Sequence, residues 1–226
     1  MGNHIGKSDA ALGRRVHEHL LKCGLETPTV DTFLHVDTQT KIDRIELAVT
    51  DIMTTLGLDL TDDSLEETPR RVAKMFVKEL FWGLDYEHFP KCTAIENKMD
   101  YRDSFVVEKN ITVHSSCEHH LVTIDGFATV AYMPHAKVLG LSKLNRIVQF
   151  FAKRPQVQER LSEQIAETIS FVAETPDVAV YIDAVHYCVK SRGIQDVNSS
   201  TVTLATRGRF SVIGSPIRNE FLAAMR

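Results

Sequence analysis

The chain has 226 residues, 43% hydrophobic and 25% charged, an ordinary globular composition that excludes a disordered or fibrous protein. Its 26 Lys and Arg stand against 30 Asp and Glu, a formal net charge of −4, so the chain as a whole offers no electrostatic reason to bind nucleic acid. No run reaches the roughly 20 apolar residues that cross a bilayer, the opening MGNHIGKSDAALGRR lacks an apolar signal region, and four scattered cysteines do not form a disulfide scaffold, so a cytoplasmic protein with reduced thiols and no membrane partner is expected.

Residues 8–24 read as a short amphipathic helix, with Val16, Leu20 and Leu21 on one side and Gly24 at its end, followed by a polar connector to about residue 38. From Lys41, the spacing of Ile42, Ile45, Val49, Ile52 and Leu56 predicts a second helix that Gly57 stops. A third starts at Thr68 with Pro69 in its first turn and buries Val72, Met75, Phe76 and Leu80. Past Pro90 the texture is β. Ser104–Ser116 and Leu121–Met133 read as strands, and Asp125-Gly126 is a hairpin turn signal. Ser142 is placed to cap a helix carrying Leu144, Ile147, Val148 and Phe151, and Pro155 separates it from a longer helix through Val172. Val178–Lys190 and Ser199–Phe210 read as two more strands, before a helical tail from about Pro216. Three helices followed by ββααββ predict an α+β fold, with an antiparallel sheet and its helices on one face.

Two short clusters carry metal-capable side chains: Cys117-Glu118-His119-His120 and His186-Tyr187-Cys188. Strand alternation would point His186 and Cys188 to one face, where Cys188 can join Cys117 and His120 in a Cys₂His set. With water in the fourth position such a site is catalytic; with His119 or His186 there it is structural; without metal the thiols are core residues. A basic group opens the helix after Ser142: Lys143 and Arg146 lie three apart beside backbone N–H groups that favour anions. Lys190 and Arg192, and Arg70 or Arg71 at another helix start, offer further cations for a polyphosphate, although solvated surface positions are the commoner use. Glu159 opens the longer helix, where first-turn charge explains it without a ligand.

The segments SSCEHHLVTIDGFATVAYMP, GLSKLNRIVQFFAKRPQVQERL and IDAVHYCVKSRGI, with LEETPRRVAKMF, resemble GTP cyclohydrolase I over roughly residues 40–212. The resemblance implies a ββααββ tunnelling fold, with residues 41–226 as the catalytic domain and residues 1–40 as an N-terminal helical extension. It also implies a homodecamer of two stacked pentamers with active sites at subunit interfaces. The implied reaction is zinc-dependent hydrolysis of GTP to formate and 7,8-dihydroneopterin triphosphate, the first step towards tetrahydrofolate-type pterins. Cys117, His120 and Cys188 are similar to the zinc ligands, and a zinc-activated water would attack C8 of the guanine. His119 looks like the acid that protonates N7, His186 like the proton carrier during ribose opening, and Ser142 like a residue beside the sugar. Glu159 is similar to the carboxylate that reads guanine N1 and the 2-amino group, and Lys143, Arg146, Arg192 and Arg71 to the triphosphate contacts. The rivals are another purine or pterin enzyme on the same fold, and a zinc-stabilised nucleotide-binding protein without chemistry.

Overall fold

The computed structural model describes residues 7–30 and 35–225, so part of the expected connector lies outside the described residues. Helix α1 (Ala10–Lys22) starts where the Asp9 side chain accepts from Leu12 N–H, and ends at Gly24, whose φ of +68° the missing Cβ permits. Val16 and Leu20 are fully buried, whereas Leu21 is exposed, contrary to the expected stripe. Helix α2 (Thr38–Thr55) starts three residues before the expected Lys41, because Asp37 supplies the cap to Thr40 N–H. Gly57 stops it with φ +81°. Of its predicted apolar stripe only Ile42 is buried, while Ile52 and Leu56 are exposed. Helix α3 (Thr68–Met75) begins at Thr68 with Pro69 in the first turn, as expected, and continues as a π-helical turn over Phe76–Leu80. It packs on α2, where Arg70 pairs with Asp43 and Glu46.

The main sheet has five strands in the order β5-β2-β3-β6-β7: β2 (Val106–Cys117), β3 (Thr123–Tyr132), β5 (Pro155–Gln156), β6 (Val178–His186) and β7 (Thr201–Thr206). The four long strands are antiparallel, but the two-residue β5 runs parallel to β2, so the sheet is mixed rather than wholly antiparallel. A separate ladder joins β1 (Ala94–Glu96) to β4 (Lys137–Leu139). Asp125-Gly126 is not the hairpin turn. Both residues lie inside β3, where Gly126 faces Val113 and Ala184. A Cβ there would come within 2.2 Å of the Asp183 carbonyl oxygen, so close strand approach rather than a turn requires the glycine. The chain reverses instead through Glu118–Val122, with Leu121 at φ +54°.

Helices α4 (Leu141–Ala152) and α5 (Gln158–Ala173) cover one face of the sheet. Ile111, Val113, Ile124, Ala128, Val130, Val180 and Ile182 meet Leu144, Ile147, Phe151, Leu161 and Ile165 in the main core. Val16 and Leu20 of α1 belong to that same core. The opposite face is not bare. The C-terminal helix α7 (Pro216–Ala224) and the turn Gly208–Ser211 place Phe210, Ile217 and Phe221 against Ala131 and Ala179. Farther along that face Phe127 and Val202 remain exposed.

Candidate active site

Cys117 ends β2, and the following turn carries Glu118, His119 and His120. Strand β6 ends at His186, and Tyr187–Lys190 form a single helical turn, α6, so Cys188 is not on a strand as expected. The turn of the backbone, not strand alternation, brings Cys188 to Cys117. One ligand atom from each of Cys117, His120 and Cys188 lies within 4.8 Å of the others. Burial, and then the neighbouring Cys117, push the Cys188 thiol above its ordinary pKa. Arg192 Nη1 donates to His120 Nε2 at 3.0 Å, so this predicted phosphate contact sits beside the cluster. His119 Nδ1 is 3.7 Å from Cys117 Sγ, and His119 lines a cavity of about 370 Å³ with Thr27, Pro28, Leu84, Glu118 and Pro155. Glu118 turns away to Arg160 (2.5 Å), which holds the turn against α5.

His186 meets a residue that the sequence reading missed. Its Nε2 lies 2.8 Å from Oε1 of buried Gln158, the first residue of α5. The Gln158 amide nitrogen donates to the carbonyls of Ile182 and Thr201 and to Thr203 Oγ1, which orients the amide and leaves its oxygen to accept the His186 proton. Burial lowers the His186 pKa against the opposing charge of Glu159, so its neutral form is favoured. Glu159, exposed in the first turn of α5, therefore stands near His186. Gln158 carries no charge and forms no motif by spacing; its adjacency to Glu159 was the one available signal.

The basic group lies elsewhere. Ser142 does not cap α4: Gly140 holds that position, and Ser142 is exposed in the first turn beside Lys143. Asn145, next to Arg146, donates to Glu108 near the start of β2. Nine residue steps along the strand take Glu108 to Cys117, a span of about 25–30 Å. Within one chain Ser142, Lys143 and Arg146 thus stand at the opposite end of the sheet from Cys117, His120 and Cys188. Arg71 is exposed on α3, and among the described residues no hydrogen bond or ion pair ties it to either group.

A buried frame backs the Cys117 end. Arg154 is fully buried, with its guanidinium on Glu26 (2.9 Å) and the Gly83 carbonyl, and stacked over Tyr86, Phe150 and Phe151. The next residues, Pro155 and Gln156, pair with Ser116 and Cys117. The peptide that ends at Cys117 is therefore held from behind by an ion pair and three rings.

A sequence model of GTP cyclohydrolase I matches residues 45–226. GTP cyclohydrolase 1 of Yersinia pseudotuberculosis is 56% identical over 211 residues, covering 93% of this chain and 94% of that protein. The Yersinia enterocolitica enzyme is 57% identical over 211 residues, with the same coverage. That of Shewanella sp. is 54% identical over 215 residues, covering 95% of this chain and 98% of its own. The match extends through the cysteine–histidine turn, both helix starts and the Cys188 segment, and the chain belongs to the GTP cyclohydrolase I family.

Proposed function

We propose that this cyclohydrolase opens the imidazole ring of GTP in a zinc-dependent hydrolysis, releases formate and rearranges the remainder to 7,8-dihydroneopterin triphosphate, the entry to tetrahydrofolate-type pterins. The observation that carries the reading is the convergence of Cys117, His120 and Cys188 within 4.8 Å. Two thiols and an imidazole form a donor set that suits zinc and disfavours magnesium or calcium. Three protein ligands leave a fourth position open, and His186 is not drawn into it because its Nε2 is engaged by Gln158. When bound, the ion supplies Lewis acidity that brings the pKa of a water molecule to about 7.

The remaining chemistry falls to the chain's own side chains. His119, exposed beside Cys117, delivers a proton to N7 of the purine and so makes C8 electrophilic. His186, kept neutral by burial, accepts and returns protons while the ribose opens. The Glu159 carboxylate, which only accepts hydrogen bonds, takes the N1–H and 2-amino donors of guanine and rejects adenine, which lacks that donor pair. Lys143, Arg146 and Arg71 bind the triphosphate and Ser142 the sugar, joined by Arg192 from the metal side.

Because Ser142, Lys143 and Arg146 start from the Glu108 end of β2, about 25–30 Å along the strand from Cys117, a complete pocket needs a second copy. The assembly is a homodecamer of two pentamers with sites between subunits, formed by a cytoplasmic enzyme without nucleic-acid or membrane partners. Residues 41–226 are its catalytic unit and residues 1–40 an extension that docks α1 on it. The test is formate release from GTP by protein stripped of metal and then restored with zinc. Zinc-dependent formate is expected. Nucleotide binding without formate from zinc-loaded, assembled protein would leave only a binding function.

A further inference from the structure

A second group of metal-capable atoms lies outside the active site, between α1 and α5. His19 and Cys23 are one helical turn apart on α1, and Glu167 faces them from α5. His19 Nε2 is 2.8 Å from Glu167 Oε1, and Cys23 Sγ is 3.8 Å from His19 Nε2 and 3.9 Å from Glu167 Oε1. A tetrahedral zinc site, with metal–ligand bonds of about 2.0–2.3 Å, separates its ligand atoms by about 3.3–3.6 Å. The three atoms here stand within about 0.6 Å of that spacing, on backbone that is already fixed. Cys23 caps α1, its N–H bonded to the His19 carbonyl, and the His19 ring stacks on Phe171 at 4.5 Å. Arg207 takes the other oxygen of Glu167 (3.2 Å) and also pairs with Glu163, which leaves Glu167 Oε1 aimed at the helix pair.

We propose that His19, Cys23 and Glu167 form a second site for a divalent transition metal of the zinc class, one that clips α1 to the catalytic body. The mixed nitrogen, sulfur and oxygen set selects such an ion over calcium or magnesium. Charge balances as well: a dication with a Cys23 thiolate, Glu167, Glu163 and Arg207 sums to zero. Such an ion binds the Cys23 thiolate and the neutral His19 imidazole, so binding displaces protons and weakens as pH falls. The site is independent of the catalytic reading, since it shares no residue with it.

The test is cobalt stoichiometry on the reduced, metal-stripped full chain, read by thiolate-to-cobalt charge-transfer absorption and by metal retained after gel filtration. Wild type is expected to hold two equivalents per chain and Cys23→Ser one, with GTP turnover of Cys23→Ser unchanged. Cys117→Ser is expected to keep the equivalent that Cys23→Ser loses. His19→Ala, which spares the thiol, should lose the same equivalent. If Cys23→Ser and His19→Ala hold as much metal as wild type, the second site does not exist. If wild type holds one equivalent and Cys117→Ser still holds it, the second site stands and the catalytic metal fails.

Discussion

At the Cys117 end of the sheet the side chains are held from several directions. Arg154 and its rings lie behind the strand, Arg160 grips Glu118, and Gln158 holds His186. At the Glu108 end the cationic group rises from the first turn of α4, where glycine supplies the cap and Ser142 is exposed. The difference fits the roles proposed for the two ends. Metal binding and proton transfer need atoms fixed to fractions of an ångström, whereas long cationic side chains can adjust around a flexible triphosphate. On the proposed function, each chain would carry two half-sites rather than one whole site.

The largest effect is expected at the rigid end. Cys117→Ser should lose the active-site metal and all measurable formate release, and a variant that keeps both would remove Cys117 from the site. His119→Ala should retain metal yet slow ring opening by about 10²–10⁴-fold, the usual weight of a general acid. Near-normal turnover would reduce His119 to a neighbour of Cys117. At the adaptable end Lys143→Ala should mainly raise KM for GTP, by about 10–100-fold, as expected for the loss of one charged contact worth about 1.5–3 kcal/mol.

The sharpest test of the comparison mixes the two ends. Co-assembling Cys117→Ser with an inactive Lys143→Ala/Arg146→Ala chain should restore up to roughly one quarter of wild-type turnover, because some interfaces then pair two intact halves. No recovery in mixed oligomers would mean that each pocket is built within one chain.

Stability effects are smaller in functional terms. Arg154→Ala strands Glu26 in the core and should cost about 3–5 kcal/mol by denaturant unfolding. A loss within 1 kcal/mol of zero would show that the frame behind Cys117 is not held by this pair. The smallest effect concerns α1. Burial raises the Glu167 pKa, but hydrogen bonds from His19 and Arg207 outweigh it and hold the carboxyl below its ordinary value. A depressed carboxylate stabilises the fold above its unfolded pKa of about 4.3, and that contribution disappears as pH falls through the folded value. In metal-free protein Glu167→Gln should therefore lower Tm by about 2–4 °C at pH 7 and by progressively less below pH 4. A pH-independent difference would assign the loss to packing.

Much of this molecule was legible in its sequence because local rules govern it. Helical spacing with Pro69 and Gly57 marked α2 and α3, and the order of strands and helices predicted the layered α+β fold. The two cysteine–histidine segments and the basic helix start carried their chemistry in adjacent residues. Where local rules competed with contacts between strands, the contacts decided. Asp125-Gly126 reads as a turn, yet Gly126 exists so that β6 can approach, and Cys188 reads as strand, yet the chain coils after His186 to bring its sulfur to Cys117. Gln158, a neutral amide without a motif, acquires meaning only from the carbonyls of strands far along the chain. The sequence by itself determined which groups this protein owns, because their types and short spacings are covalent facts. Only the tertiary structure decided that they lie at opposite ends of one sheet, because that separation depends on strand direction and on which end of β2 each connection meets.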